Sequence, residues 1–134
     1  MSRYQERALA LRAQITPHIN CAQAVLVPFA EDAGITEETA MRIADGFGGG
    51  MKRASVCGAV TGGIMVLGLF GLGDPETLRT YHRKLQENHG GALDCGELLR
   101  MNAEAGGEKK TFCNGIIVEC IGLIEEILHD NGKL

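Results

Sequence analysis

Apolar residues recur at helical spacing along nearly the whole chain. Near the start an apolar residue returns every three or four positions, at Tyr4, Ala8, Leu11 and Ile15. A broader apolar face ends the chain, formed by Ile116, Ile117, Cys120, Ile121, Ile124, Ile127 and Leu128. Such spacing is typical of amphipathic helices, and no segment shows strand alternation beside a hairpin turn. The pattern predicts an all-α fold, a compact single-domain bundle of six or seven helices over residues 1–134.

Residues that cap helices mark the expected boundaries. Hydroxyl or carboxylate side chains precede the predicted helix starts, at Thr16, Thr36, Asp74, Asp94 and Thr111. Each can accept a hydrogen bond from a free amide of the first turn. Pro28 should kink the second helix because proline lacks an amide hydrogen. We expect the sixth helix to end near Met101, Asn102–Lys110 to form a surface loop, and the last helix to run to about Asp130.

The bundle is organised around the uncharged stretch from Ala54 to Gly73. Six of its twenty residues are glycines, which are poor helix formers but let neighbouring backbones approach closely. We interpret the stretch as a buried, glycine-rich central helix. A membrane span is the alternative, because about 20 apolar residues can cross a bilayer. The amphipathic helices on either side favour the soluble interpretation, since they need a core to cover.

A glycine cluster, Gly46–Gly50, precedes this helix. It lacks the Gly-Lys-Ser/Thr ending of a phosphate-binding loop. It can still leave room for a small ligand beside Cys57, because glycine adds no side chain where a ligand approaches. Gly49, Gly50 and Gly58 are therefore the candidate cofactor-binding positions.

Composition and charge restrict the partners. Apolar residues make up 45% and charged residues 22% of the chain, which is ordinary for a globular domain. The net charge is −4 and there is no tryptophan, so we expect no nucleic-acid partner. The N-terminus carries mixed charge without an apolar signal region, which predicts a cytoplasmic protein with no membrane partner. The glycine-smooth central helix makes a homodimer plausible, although no residue specifies its interface.

The five cysteines carry the candidate chemistry. Cys57, Cys95 and Cys113 each follow a predicted helix start, where free amides and the helix dipole favour a thiolate. Lys52 and Arg53 are expected to strengthen that effect at Cys57. There is no Cys-x-x-Cys pair and no zinc-finger spacing. Any disulfide must therefore join different helices or chains, because cysteines seven residues apart on one helix are too distant to bond.

Five segments carry a resemblance to a known family: Asn20-Cys21-Ala-Gln-Ala-Val, Gly46-Phe-Gly-Gly-Gly, Cys57-Gly-Ala-Val-Thr-Gly-Gly, Asp94-Cys95 and Cys113. Together they resemble the C-GCAxxG-C-C family of small prokaryotic proteins, which are regarded as redox-active. The resemblance covers about residues 19–128, and the core here reads Cys-Gly-Ala where the family has Gly-Cys-Ala. It maps the family's four cysteines onto Cys21, Cys57, Cys95 and Cys113. Cys120 has no counterpart, and we interpret it as a core residue.

Three hypotheses for function stay open. The resemblance implies an oxidoreductase-type thiol/disulfide or electron-transfer protein centred on Cys57, with an unidentified redox partner and cysteines from other helices. A similarity to the non-heme part of split-Soret cytochromes implies a metal site instead. In it Cys21, Cys57, Cys95 and Cys113 hold an iron–sulfur cluster or zinc, since four thiolates are a normal ligand set for both. The third hypothesis is a non-catalytic helical interaction module with core cysteines.

Overall fold

The computed structural model describes the whole chain, Met1–Leu134, and it is all-α as predicted. The seven helices are α1 (Arg3–Ala13), α2 (Cys21–Leu26), α3 (Glu37–Ala44), α4 (Gly58–Leu69), α5 (Pro75–Asn88), α6 (Cys95–Glu104) and α7 (Lys109–Asp130). Short 3₁₀ turns follow α2 and α3, at Val27–Phe29 and Asp45–Phe47. The extended backbone forms a single antiparallel bridge, between Val56 and Asp94.

Local capping explains why most of these helices begin where they do. Ser2 and Asn20 each form a reciprocal capping box, with Gln5 and Gln23 respectively. Thr36 and Asp74 accept hydrogen bonds from amides of the first turns of α3 and α5. Each cap satisfies backbone donors that would otherwise lack partners.

The glycines of α4 allow the close packing that forms the core. Helix α4 packs against α2 and α7. A methyl group added to Gly62 would lie 2.8 Å from the carbonyl oxygen of Ala22. One added to Gly63 would collide with the hydroxyl of buried Tyr81, which donates a hydrogen bond to the Val60 carbonyl. The central glycine-rich helix predicted from the sequence is therefore confirmed as a buried element.

Two predicted helix starts in the first half of the chain are wrong. Thr16 does not cap a helix: the Thr16–Pro17 peptide is cis and lies in a turn. The capping box of Asn20 starts α2 four residues later, so Cys21 is the first residue of the helix and not one turn inside it. The central helix begins at Gly58, because the backbone before it is extended and the backbone amide of Cys57 donates to the Leu93 carbonyl. Proline at position 28 lies in the 3₁₀ turn after α2 has already ended.

The boundary between the last two helices also differs from the prediction. Helix α6 continues to Glu104, so the expected surface loop shrinks to residues 105–108. Glu108 takes the N-cap position of α7, and Thr111 lies inside the first turn with its hydroxyl donating to the Glu108 carboxylate. Asp94 occupies the N-cap of α6, but its side chain accepts no capping hydrogen bond.

None of the helices has both the length and the apolar character required to cross a bilayer. The membrane-span interpretation of the central stretch is therefore wrong for this structure. Helix α4 has twelve residues, whereas about 20 are needed.

Candidate functional site

Four cysteines from four separate elements line one cavity of about 370 Å³. Cys21 begins α2, Cys57 immediately precedes α4, Cys95 begins α6 and Cys113 lies one turn into α7. We call this space the thiol cavity; its apolar wall is formed by Leu98, Leu99, Phe112 and Ile116. The structure thus brings together all four cysteines singled out from the sequence. The fifth, Cys120, is fully buried in the core beneath α4, as interpreted.

The bridge between Val56 and Asp94 fixes the relation of Cys57 to Cys95. Cys57 donates its amide to the Leu93 carbonyl, and Cys95 donates its amide to the Ser55 carbonyl. The two cysteines are therefore diagonal neighbours on the same side of the bridge. Diagonal neighbours are roughly 7–8 Å apart, which is farther than the Cα atoms of most disulfides, about 4.4–6.8 Å. The bridge therefore does not favour a disulfide between Cys57 and Cys95.

Cys21 and Cys113 are the cavity thiols whose interaction shifts the pKa of both residues most. Interaction with the Cys21 thiol lowers the pKa of Cys113 to about 6 despite its partial burial. The positive charges of Arg12 and Lys109 lower the pKa of Cys113 further. The same interaction, together with burial, raises the pKa of Cys21 strongly. These opposite shifts favour the thiolate at Cys113 and the thiol at Cys21.

The expectation that helix starts lower the pKa of Cys57 and Cys95 is wrong. Burial raises the pKa of Cys57, although the backbone amides of Ala59 and Val60 partly offset it. Burial also raises the pKa of Cys95. Desolvation disfavours the charged form of a thiol, and here it exceeds the effect of the helix N-termini. The cavity cysteine with a lowered pKa is therefore Cys113, and not Cys57, the predicted centre of the chemistry.

Lys52 and Arg53 do not act on Cys57 as expected. Their side chains are exposed, and neither is among the charges that influence the Cys57 thiol. They belong to a tight turn, Gly50–Ala54, in which Met51, Lys52 and Ala54 have positive φ angles of 57–60°. Non-glycine residues rarely adopt this conformation, and it is strained. The turn holds Ala54 against the thiol cavity, and the sequence indicated a turn only at the preceding glycines.

The candidate cofactor-binding glycines divide into two groups. Gly49 and Gly58 line the thiol cavity. A methyl group on Gly58 would lie 3.3 Å from the Cβ of Cys21 and 2.9 Å from the Phe47 carbonyl oxygen. Gly50 does not line the cavity; a methyl group there would lie 2.9 Å from the Cβ of Cys95. Gly58 and Gly50 therefore each leave the backbone close to a cysteine, so that the thiols can share one cavity.

The cysteines do not form a ready-made metal site. No group of three or more His, Cys, Asp or Glu side chains is arranged to hold a metal ion. In this arrangement the residues present therefore do not fit the iron–sulfur or zinc hypothesis.

Two cationic residues beside Cys113 escaped the sequence patterns. Arg12 carries no local signal, but the residue is half-buried and its guanidinium donates to the Ile19 carbonyl. Lys109 was placed in a loop and is instead the first residue of α7, one turn before Cys113. The only local signal was the pair of lysines just before a cysteine. Arg12 reaches the site by a tertiary contact, which no local pattern reveals.

We expect the reactivity of Cys113 to rise with pH around a midpoint near 6. Thiolates are alkylated and thiols are not, so the rate should increase as pH rises through that pKa and then level off. The Cys21→Ala variant should shift the midpoint upward, towards the ordinary value of 9.0, because the thiolate loses its donor. Iodoacetamide labelling followed by peptide mass analysis measures both. A midpoint unchanged by Cys21→Ala would contradict the pairing.

The fold and the cavity together define a small all-α protein that gathers thiols from separate helices at one site. The chain belongs to the family described as "Putative redox-active protein (C_GCAxxG_C_C)", whose model matches residues 19–127. The matched region includes all four cavity cysteines and the strained turn, which confirms the resemblance seen in the sequence. No curated protein and no solved structure matches the chain.

Proposed function

We propose that the protein carries out thiol–disulfide exchange, with Cys113 as the nucleophile and Cys21 as the resolving thiol. The observation that carries this proposal is the placement of the Cys21 and Cys113 thiols in one cavity, where their interaction lowers the pKa of Cys113 and raises that of Cys21. A thiolate attacks disulfides and a thiol does not. The description of the family as redox-active supports the same class of chemistry.

The reaction has two balanced steps. The Cys113 thiolate attacks one sulfur of a substrate disulfide, forms a mixed disulfide and releases the other substrate sulfur as a thiolate. Cys21 then gives up its proton, which ends on a released thiolate, and attacks the sulfur of Cys113. The Cys21–Cys113 disulfide forms and the second substrate thiol leaves. Two electrons pass from the protein to the substrate, and a reducing dithiol reverses both steps.

The setting of Cys21 suits the resolving role. The residue is partly buried, and its interaction with Cys113 together with burial raises its pKa, so it is a poor first nucleophile. Once Cys113 is in a mixed disulfide it no longer holds the negative charge that keeps Cys21 protonated. The Cys21 thiol is then easier to ionise, and it already lies beside the sulfur it must attack.

A trapping experiment tests this assignment. In the Cys21→Ser variant, reaction with bis(2-hydroxyethyl) disulfide should stop at the mixed disulfide, and intact mass should show one added mercaptoethanol group at Cys113. The wild-type protein should instead lose two hydrogens without keeping the probe. Cys95→Ser is the matched control, because Cys95 lines the same cavity but does not form a thiol pair with Cys113. This variant should behave like wild type. Trapping in Cys95→Ser and none in Cys21→Ser would contradict the proposal.

A further inference from the structure

A second recess meets the thiol cavity at Cys113. Its volume is about 570 Å³, and it is formed by the end of α1, the following turn and the first residues of α7. We call it the cationic groove; the charged or titratable residues that line it are Arg12, His18, Glu108, Lys109 and Lys110. Cys113 lines both spaces, whereas Cys21, Cys57 and Cys95 line only the inner one. A molecule that reaches Cys113 through the groove contacts these charges first.

The groove is positive although the protein as a whole is negative. Three of its side chains are cations, Arg12, Lys109 and Lys110, and none of them has a carboxylate within salt-bridge distance. Arg12 donates hydrogen bonds to two neutral acceptors, the Ile19 carbonyl and the Asn114 side chain. The single acid, Glu108, accepts from the Thr111 hydroxyl. Six other lysines and arginines have acidic partners, and three of the seven that have none line this groove.

Lys109 and Lys110 also occupy positions at which a lysine lowers the stability of the helix. They occupy the first turn of α7, where the helix dipole favours acidic residues, and no side chain caps that end of the helix. In contrast, α3 and α5 carry acidic residues in their first turns. Natural sequences depart from such local rules mostly at functional sites. The free amides of α7 add to the positive potential of the lysines.

We propose that the substrate is a small disulfide that carries carboxylate groups, bound in the cationic groove with one sulfur against Cys113. This inference rests on the proposed thiol–disulfide function and names its substrate class. The volume of the groove falls within the range of small-molecule sites, about 300–1,000 Å³. Its cations bind the carboxylates, and exposed Ile15 at its rim offers an apolar contact for the methylene groups of such a molecule.

Placement of the carboxylates does not change the balance of the exchange. Cys113 attacks the nearer sulfur, and the departing half leaves as a thiolate that still carries its carboxylate. Because that half bears two negative charges, the cations of the groove also stabilise it as it departs. The oxidant throughout is the disulfide substrate itself.

Three probe disulfides of different charge test the substrate class. Dithiodipropionate is anionic, bis(2-hydroxyethyl) disulfide is neutral and cystamine is cationic. The rate of oxidation of the reduced protein by each is divided by the rate of the same probe with free mercaptoethanol, which removes differences in intrinsic reactivity. We expect the anionic probe to be favoured over the neutral one by about tenfold at low ionic strength. High salt should reduce this preference, since it screens exposed charges.

Lys110→Gln isolates the role of the groove from that of the nucleophile. Lys110 lines the groove but is not among the charges that influence Cys113. The variant should lower the anionic-to-neutral preference by roughly threefold. Lys133→Gln removes the same charge from the exposed C-terminal end and should leave the preference as in wild type.

The outcomes separate the two proposals. If all three probes form the Cys21–Cys113 disulfide at equal normalised rates, or if Lys110→Gln leaves the preference intact, the substrate class is wrong and thiol–disulfide exchange stands. If no probe oxidises the pair, the exchange function itself is wrong. A preference for cystamine would also overturn the inference, since it would show that the groove does not act through its cations.

Discussion

Replacing Cys113 with serine should slow the reaction of the protein with small disulfides by about fivefold or more. At neutral pH a thiol with a pKa of about 6 is mostly thiolate. One with a pKa at or above 9.0, as for Cys57 and Cys95, is thiolate in only about one molecule in a hundred. Because the nucleophilicity of a thiolate falls with its pKa, this difference in ionisation leaves roughly a fivefold advantage for Cys113. The variant therefore keeps thiols but loses the one ionised nucleophile of the cavity. Stopped-flow kinetics with bis(2-hydroxyethyl) disulfide measures the effect.

The matched control is Cys57→Ser, the residue that the sequence alone places at the centre of the chemistry. Cys57 is buried, its pKa is raised and it forms no hydrogen bond with another thiol. Its replacement should therefore leave the rate within about threefold of wild type. A large loss in Cys57→Ser with little change in Cys113→Ser would restore the sequence-based centre and contradict the structural one.

The Gly63→Ala variant should lose about 1–3 kcal/mol of folding stability. The added methyl group would collide with the Tyr81 hydroxyl and lie 2.8 Å from the Cδ1 of Ile124. Both neighbours are fully buried, so neither can move aside without opening the core. Displacing Tyr81 would also break its hydrogen bond to the Val60 carbonyl. Urea unfolding followed by circular dichroism measures the change.

Gly68→Ala is the control on the same helix. A methyl group at Gly68 meets nothing within 4 Å, so only backbone entropy changes, and alanine should add about 0.5–1 kcal/mol of stability. The two substitutions are chemically identical and are expected to have opposite signs. Equal effects would show that the close approach of α4 to α5 and α7 does not depend on Gly63.

Local signals predicted the fold better than they predicted the site. Thr36 and Asp74 were identified from the sequence as caps because a cap acts on amides only two or three residues away. Thr111 failed by the same logic, since Glu108 three residues earlier could also take the N-cap position, and residue type alone does not decide between them. The glycine-rich segment was assigned to the centre because a helix without charges needs burial.

The arrangement of the site depends on contacts between distant residues. The family resemblance selects the four cysteines, but it does not say that the Cys21 and Cys113 thiols interact. It also does not say that Cys57 and Cys95 are diagonal neighbours across the bridge. Those relations follow from how α2, α6 and α7 pack. The pKa values depend on the same packing, because burial outweighs the helix N-termini at Cys57 and Cys95. Arg12 acts on Cys113 from a helix about a hundred residues away in sequence.

The most direct test of the central claim is a disulfide map of the oxidised protein. The reduced protein is oxidised with one equivalent of bis(2-hydroxyethyl) disulfide, its remaining thiols are alkylated, and its peptides are identified by mass spectrometry without reduction. We expect one intramolecular bond, between Cys21 and Cys113, with Cys57, Cys95 and Cys120 recovered as alkylated thiols. A bond between Cys57 and Cys95, or any bond that leaves Cys113 as a free thiol, would contradict the account.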